Sequence, residues 1–350
     1  LATLAVEETV GEAMKLAMIH GVGDLRLDDV QRPTAGPNDV VVKVAATGIC
    51  GSDIAYRAMG GVSGPSDKPL AIGHEFAGEI VEAGANVASF KIGDRVAYNS
   101  YNSPADFGRG SPQAGFSNYV SLENIDAHPQ SLAKLPDAVS LEHAALVEPL
   151  SVAMHAVNRA DPQPGQSVAI FGVGPIGLGM VIALRWRGIE DIAVFDLSRL
   201  RLDRALALGA RAAFDPRETK PADALGALRG YATLRGQQLP ITDIYLDATG
   251  APGLIEDITT FANFDSRIVT VAIQKQPMTI PGTVMMAKQL TLMGSIGYPI
   301  EFQAVIGKLA EKAVDPEMMI SHRYRFEDFL EAFETAANPA AAAKVLVQFP

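Results

Sequence analysis

Cysteine occurs once in 350 residues, at Cys50. No disulfide can form within the chain, and nothing calls for an oxidising compartment, so a reducing, cytoplasmic setting is the expectation. Basic residues are outnumbered: 29 Lys and Arg against 40 Asp and Glu leave a formal net charge of −11. That balance argues against nucleic acid or an anionic membrane surface as a main partner. It does not exclude a dinucleotide, because backbone N–H groups can cradle phosphate on an acidic protein. Residues 1–13 contain Glu7, Glu8 and Glu12 and no cation. They lack the basic start and apolar run of a secretory signal, and they read as a processed or mis-started extension ahead of Met14. Long uncharged runs are scarce. The exception, Val168 to Leu184, is interrupted by Gly172, Gly174, Pro175, Gly177 and Gly179, which suits a strand, a tight turn and a helix better than a membrane span. Internal repeats, low-complexity tracts and long linkers are also missing.

What is there is globular: 48% of residues are hydrophobic and 20% charged, in a chain long enough for two domains. From Lys15 to about Ala127 the pattern is β-rich, with strands expected at Val40–Val44 and Phe76–Glu82. Leu141 to Ala160 turns helical, with an interruption at Glu148-Pro149, where proline suits the first turn of a second helix. From Gln166 strands and helices alternate. Strands are expected at Ser167–Phe171, Ile192–Phe195, Asp243–Leu246 and Arg267–Val271. Helices are expected at Pro175–Arg187, Arg199–Leu208 and Pro252–Phe261. This alternation implies a parallel sheet covered by helices on both faces, an α/β doubly wound domain. A helix over Phe326–Ala336 and a strand over Lys344–Gln348 complete the reading.

Gly172-Val173-Gly174-Pro175-Ile176-Gly177 follows one of these strands and opens a helix. The first glycine permits the turn, the second lets backbone approach a pyrophosphate, and the third lets helix pack on strand. The helix N-terminus would then face the phosphates. Asp196 ends the next strand 19 positions later, near the spacing expected of a ribose-binding acid. Its carboxylate can accept from a ribose diol and repels a 2′-phosphate, which favours NAD. Arg199 and Arg201 stand close by and would pull towards NADP.

Cys50-Gly51-Ser52-Asp53 follows the Val40–Val44 strand, and Gly73-His74-Glu75 comes 24 positions after the cysteine. With Glu148, these residues can furnish thiolate, imidazole and carboxylate to a zinc ion while leaving a position open for substrate. The residues alone leave a second reading open: a buried thiol and a hydrogen-bonded imidazole with no metal.

Taken in order, the Cys-Gly-Ser-Asp run, Gly-His-Glu, Val147-Glu148-Pro149-Leu150 and the glycine turn resemble the zinc-containing medium-chain dehydrogenase/reductase family, in its sorbitol and butanediol dehydrogenase-like branch. The resemblance runs from Met14 to the end. It implies a GroES-like, β-rich catalytic domain over 14–157 and 295–350, with a Rossmann domain over 158–294 and the active site in the cleft. It implies a catalytic zinc on Cys50, His74 and an acid, Glu75 or Glu148. It implies Asp196 and Arg201 at the adenosine ribose, and backbone at Val271, Ala272 and Ile273 and at Ile296, Gly297 and Tyr298 near the nicotinamide. Tyr56 and Tyr298 would line the substrate pocket, and the assembly would be a homodimer or homotetramer. The implied reaction is reversible hydride transfer from a secondary alcohol, vicinal diol or polyol to NAD.

Three departures qualify the resemblance. No cysteine lies between Val96 and Gly115, so the second, structural zinc of many relatives is not expected. Ala55 stands where the family carries a relay histidine, which leaves Ser52 to pass on the alcohol proton. Gly297 replaces the arginine that often precedes the tyrosine in the sorbitol branch, which weakens the case for a long polyol. Charge counting adds that thiolate and one carboxylate already neutralise zinc. Glu75 and Glu148 are therefore not both expected to bind it while substrate is present. The competing readings are a zinc-free, NADPH-dependent quinone or enone reductase on the same fold, and a catalytically silent dinucleotide-binding protein.

Overall fold

The computed structural model describes residues 13–274 and 276–350. Of the segment read as an extension, residues 1–12 lie outside the described residues. The chain divides into two compact units. One runs up to Leu135 and also takes Arg325–Leu330 and Val347–Pro350; the other holds Pro136–Tyr324 and Glu331–Leu346.

The first unit is a set of antiparallel strands. It comprises β1 (Ala13–Gly21), β2 (Asp24–Gln31), β3 (Val40–Gly48), helix α1 (Gly51–Met59), β4 (Leu70–Ala71), β5 (Glu75–Ala83), β6 (Arg95–Tyr98), β7 (Tyr119–Leu122) and β8 (Leu132–Lys134). β1 pairs with β2 and with β4. β3 pairs with β5 and, over Val40–Lys43, with β7, while β6 and β8 extend the sheet from β5. Val40, Val41, Val42 and Val44 are all fully buried. β3 is therefore covered on both faces, which is why its sequence is a continuous valine run rather than an alternation. The core around it includes Phe76 stacked on Tyr98 at 4.7 Å, with Phe107 tilted against both. Glycine is required at one point of this pairing. A Cβ on Gly78 would sit 2.1 Å from the Lys43 carbonyl oxygen.

The second unit opens with α2 (Leu141–Ala144) and α3 (Val147–Ala160). The break between them falls at residues 145–146, and Pro149 sits in the first turn of α3, where no intrahelical N–H partner is lost. Then follow β9 (Val168–Phe171), α4 (Pro175–Trp186), β10 (Ile192–Phe195), α5 (Arg199–Ala207), β11 (Ala212–Phe214), α6 (Pro221–Arg229), the hairpin β12 (Tyr231–Leu234) and β13 (Gln237–Pro240), β14 (Ile244–Asp247), α7 (Leu254–Phe261), β15 (Arg267–Thr270), α8 (Gly282–Lys288), β16 (Thr291–Gly294) and α9 (Glu301–Glu311). Six strands form one parallel sheet in the order β11-β10-β9-β14-β15-β16. This is the doubly wound order, whose direction reverses between β9 and β14. The uncharged run is accounted for by β9, a turn and α4. Among the described residues no helix is long and apolar enough to cross a membrane.

The unit boundaries differ from the 14–157, 158–294 and 295–350 division expected from the sequence. One reason is the packing of α3, which lies so close to α4 that a Cβ on Gly179 would meet Ala153 at 2.8 Å. Elements not anticipated include α1, β11, α6, β12, β13, α8, β16 and α9; the strands among them have four residues or fewer, too few to show a period. The chain closes with β17 (Ile320–Arg325), α10 (Phe329–Ala337) and β18 (Lys344–Gln348). The helix expected from Phe326 opens with a single 3-10 turn over Phe326–Asp328.

Candidate active site

Strand register brings the first constellation together. Gly48, the last residue of β3, stands opposite Glu75, the first of β5. Cys50 lies two residues beyond the end of one strand, and His74 one residue before the start of the other, so the antiparallel pairing makes them neighbours. Residues 115 and 116 hold the approach to β5: the N–H of Gly115 donates to Gly73 O at 2.9 Å and that of Phe116 to Ile72 O at 3.3 Å. The ligand atoms of Cys50, His74 and Glu75 all lie within 4.8 Å of one another, and it is the one such trio among the described residues. Glu75 is 1% exposed and His74 8%, while Cys50 is half-buried. Two acceptor- or donor-rich groups and a thiol are thus gathered at one buried point with one side reachable from outside.

Asp53 organises the trio from behind. As the third residue of α1, it accepts the Cys50 N–H at 2.9 Å through Oδ2, which satisfies a helix N-terminal donor. Its Oδ1 faces His74 Nδ1 at 3.7 Å. One buried carboxylate therefore fixes the backbone of the cysteine and lies beside the ring of the histidine, at a distance too long for a hydrogen bond.

Ser52 and Tyr56 stand one turn apart on the same face of α1. Burial pushes the Tyr56 hydroxyl above its ordinary pKa, aided by the charges of Asp53 and Cys50, while Arg109 and the hydrogen bond with Ser52 pull it down. Residue 55, between them, is alanine and brings no proton-carrying group.

The second constellation lies in the other unit, at the reversal of the parallel sheet. Gly172 adopts φ +81° directly after β9, and a Cβ on Gly177 would sit 1.9 Å from Gly172 O. The turn and the start of α4 are thus in main-chain contact, and Pro175 opens the helix. Asp196, just past β10, accepts the Val173 N–H at 2.7 Å with one oxygen and the Ser198 N–H at 2.8 Å with the other. The two neighbouring arginines differ. Arg199 is exposed and pairs with Asp203 on its own helix at 2.7 Å. Arg201 donates through Nε to Ala342 O at 2.9 Å, and its Nη1 lies 3.5 Å from where a Gly174 Cβ would be. Its charge therefore stands over the glycine turn. Burial lowers its pKa and the Asp196 charge opposes the shift.

Sequence reasoning passed over Asp247, the last residue of β14. It is fully buried. One oxygen accepts from the Thr249 N–H and hydroxyl and the Gly250 N–H; the other accepts from Thr270 and Gln274 side chains. It ties the loop after β14 to the one after β15, where Val271, Ala272 and Ile273 lie. The available signal was its place at a strand's carboxyl end beside the switch point. In the other expected stretch, Ile296 is 83% exposed, as is Ile273, but Tyr298 is 1% exposed and stacks on Phe302 at 5.6 Å. Of the two tyrosines expected in a substrate pocket, Tyr56 keeps open surface and Tyr298 is used in packing.

Glu148 is nearly buried in the first turn of α3, where its charge complements the helix dipole. His155, two turns on, bonds to Glu301 at 2.8 Å, and Asn158 donates to the same carboxylate oxygen. His20 pairs with Asp28 and His143 with Glu317. These histidines are engaged in local contacts with acidic side chains, away from the trio.

Comparison with known proteins adds the following. Residues 36–137 match the alcohol dehydrogenase GroES-like domain family, and residues 175–311 match the zinc-binding dehydrogenase family. The chain is 32% identical to (R,R)-butanediol dehydrogenase of Bacillus subtilis (strain 168) over 358 residues, covering 96% of this chain and 99% of the relative. It is 31% identical to a sorbitol dehydrogenase of the same organism over 349 residues, covering 94% and 95%. The crystal structure of 2R,3R-butanediol dehydrogenase from Bacillus subtilis superposes with a TM-score of 0.83 at 30% identity, covering 96% of this chain and 99% of that one.

Proposed function

The chain belongs to the zinc-binding, GroES-like alcohol dehydrogenase family, and from that premise we propose that it oxidises a secondary alcohol, vicinal diol or polyol to the ketone, reversibly, with NAD as hydride acceptor. The observation that carries the reading is the convergence of Cys50, His74 and Glu75. A thiolate, an imidazole and a carboxylate make the donor set of a catalytic zinc with an open position, and ligand atoms on one such ion lie about 3–4 Å apart, within small adjustment of the observed spread. When bound, zinc supplies Lewis-acid polarisation of the substrate hydroxyl.

The rest falls to the protein's own groups. Asp53 holds the Cys50 backbone and sets a buried carboxylate beside the His74 ring. Ser52 receives the alcohol proton and passes it onward, since Ala55 offers no alternative; Tyr56 bounds the substrate. The thiolate and a single carboxylate offset the metal's two charges, so one acid ligates at a time. Glu75 is the acid of the trio and Glu148 the one held in reserve. The glycine turn Gly172, Gly174, Pro175, Ile176 and Gly177 takes the pyrophosphate, with Arg201 above it. Asp196 takes the ribose diol. Backbone around Val271, Ala272, Ile273, Ile296 and Gly297 borders the nicotinamide. Catalytic function is assigned to residues 14–157 with 295–350, and nucleotide binding to 158–294.

Preference for NAD over NADP is supported by two observations. Both oxygens of Asp196 are oriented by backbone N–H groups, and a carboxylate so placed repels a 2′-phosphate. Arg199, the arginine free of the glycine turn, is engaged by Asp203.

The test is metal analysis joined to kinetics. Purified protein should carry about one zinc per chain. Cys50→Ser should lose it, and NADH formation from butane-2,3-diol or sorbitol should fall by about 10³-fold. Turnover with NAD should exceed that with NADP. A metal count near two would contradict the single catalytic site. Turnover undiminished by chelation would point to a zinc-free reductase, and no turnover at all to a silent binding protein.

A further inference from the structure

The loop between β6 and β7 runs past the metal-ligand trio, and it carries a single cation. A Cβ on Gly108 would lie 3.2 Å from His74 Nδ1 and 3.3 Å from the Gly73 backbone. The chain at that point is therefore in van der Waals contact with the histidine. The next residue is Arg109. From Val96 to Ala133 it is the only Lys or Arg, in a chain whose net charge is strongly negative.

Arg109 is held rather than loose. Its Nε donates to Asp106 Oδ1 at 2.9 Å and its Nη2 to Ser100 O at 2.6 Å. Asp106 itself adopts φ +51°, and its carbonyl accepts the Arg109 N–H at 3.0 Å. The guanidinium is thus fixed along one edge by its own loop. Nη1 has no bond to the described residues, and the side chain keeps 37% of its surface exposed. Its positive charge opposes the upward shift that burial imposes on the hydroxyls of both Tyr56 and Tyr98. A guanidinium with one edge fixed and one nitrogen uncommitted has already paid most of its ordering entropy, and it suits an oxyanion better than an aliphatic chain.

We propose that Arg109 reads the non-reacting end of the substrate, and that the enzyme prefers a secondary alcohol bearing an anionic oxygen group, such as a carboxylate, over the same alcohol ending in a neutral hydroxymethyl. This rests on the alcohol dehydrogenase reading above and narrows its substrate class. Arg109 does not take part in hydride or proton transfer.

Matched pairs of substrates isolate the effect. 3-Hydroxybutanoate and butane-1,3-diol share the reacting carbinol and differ only in the far end; 5-hydroxyhexanoate and hexane-1,5-diol repeat the comparison with longer reach. The quantity measured is the ratio of kcat/KM for acid over diol at the better chain length. In the wild type this ratio should exceed one and should fall as salt is raised, because a partly exposed cation is screened. In Arg109→Ala it should drop between about ten- and a hundredfold, mainly through KM of the acid, while Arg109→Lys retains part of the preference. Thermal melts of both variants separate folding losses from recognition, and a loss common to acid and diol cancels in the ratio.

A ratio unchanged by Arg109→Ala overturns the proposal, as does a wild type that never prefers the acid at either length. If the neutral diols are oxidised normally in either case, the dehydrogenase reading stands and this inference alone falls. If no alcohol is oxidised with NAD or NADP, both fall.

Discussion

At the glycine turn, the groups that meet are backbone atoms of residues five positions apart, Gly172 and Gly177, and nothing but hydrogen fits where a Cβ on Gly177 would be. At the metal-ligand trio, the groups that meet are three side chains from Cys50 and from residues 74 and 75, brought together because β3 and β5 pair in one register. The first offers backbone at the start of a helix, the second ionisable side chains. The contrast shows what each can tolerate. A site built from local backbone is insensitive to distant packing but fails on a single methyl group. A site built from strand pairing tolerates local change but depends on positions far from any ligand.

Gly177→Ala should give the largest effect that breaks this contrast. The added methyl would meet main chain at 1.9 Å, which no side-chain rotation relieves, so destabilisation of about 3 kcal/mol or more and loss of NADH binding are expected. Gly174→Ala, with only the Arg201 side chain at 3.5 Å, should fold normally and weaken NADH binding alone. Urea unfolding and NADH fluorescence titration on both variants make the comparison; equal stability of the two would undo the argument.

Next is Gly78→Ala, remote from the trio in sequence. Its methyl would be forced against Lys43 O at 2.1 Å and would pry β3 from β5. The expected result is about 1–3 kcal/mol lost, together with weaker zinc retention on dialysis against a chelator. Normal retention in a destabilised variant would show that the trio does not depend on the register.

The smallest effect probes a place in the parallel-sheet unit where side chains distant in sequence meet, Glu301 with His155 and Asn158. Burial tends to raise the Glu301 carboxyl, but the bonds from His155 and Asn158 and the Ile300 N–H outweigh it, and its pKa lies below the ordinary value of 4.5. A depressed carboxylate stabilises the fold above its unfolded pKa and loses that contribution as pH falls through the folded value. Glu301→Gln should therefore cost about 1 kcal/mol or somewhat more near pH 6. The gap to the wild type should close as the pH is lowered from about 4.5. Melting curves across that range would show a constant gap if Glu301 were not linked in this way.

Legibility followed the same division. β10 and β18 stand where their sequences placed them, at Ile192–Phe195 and Lys344–Gln348, and α4 and α5 match to within a residue, because their apolar runs and punctuating glycines, prolines and serines act locally. β11, Ala212–Phe214, was illegible because three residues define no period. Asp247 was hidden for a different reason: its role consists of five donors from residues 249–274, and no spacing announces them. Arg109 likewise looks like one more surface cation until Gly108 is seen against His74.

The sequence by itself determined the doubly wound unit and its glycine turn, because glycine geometry, helix starts and an acid at the right spacing are encoded within about thirty consecutive residues. It also nominated Cys50, His74 and the two glutamates as a donor set, but left open which glutamate joins the other two. Only the tertiary structure decided that Cys50, His74 and Glu75 share one point, that Asp53 stands behind them and that Tyr298 is packed away. The physical reason is register. An antiparallel pairing sets which residues of two distant strands face each other, and a shift of one residue would turn every one of those side chains to the opposite face.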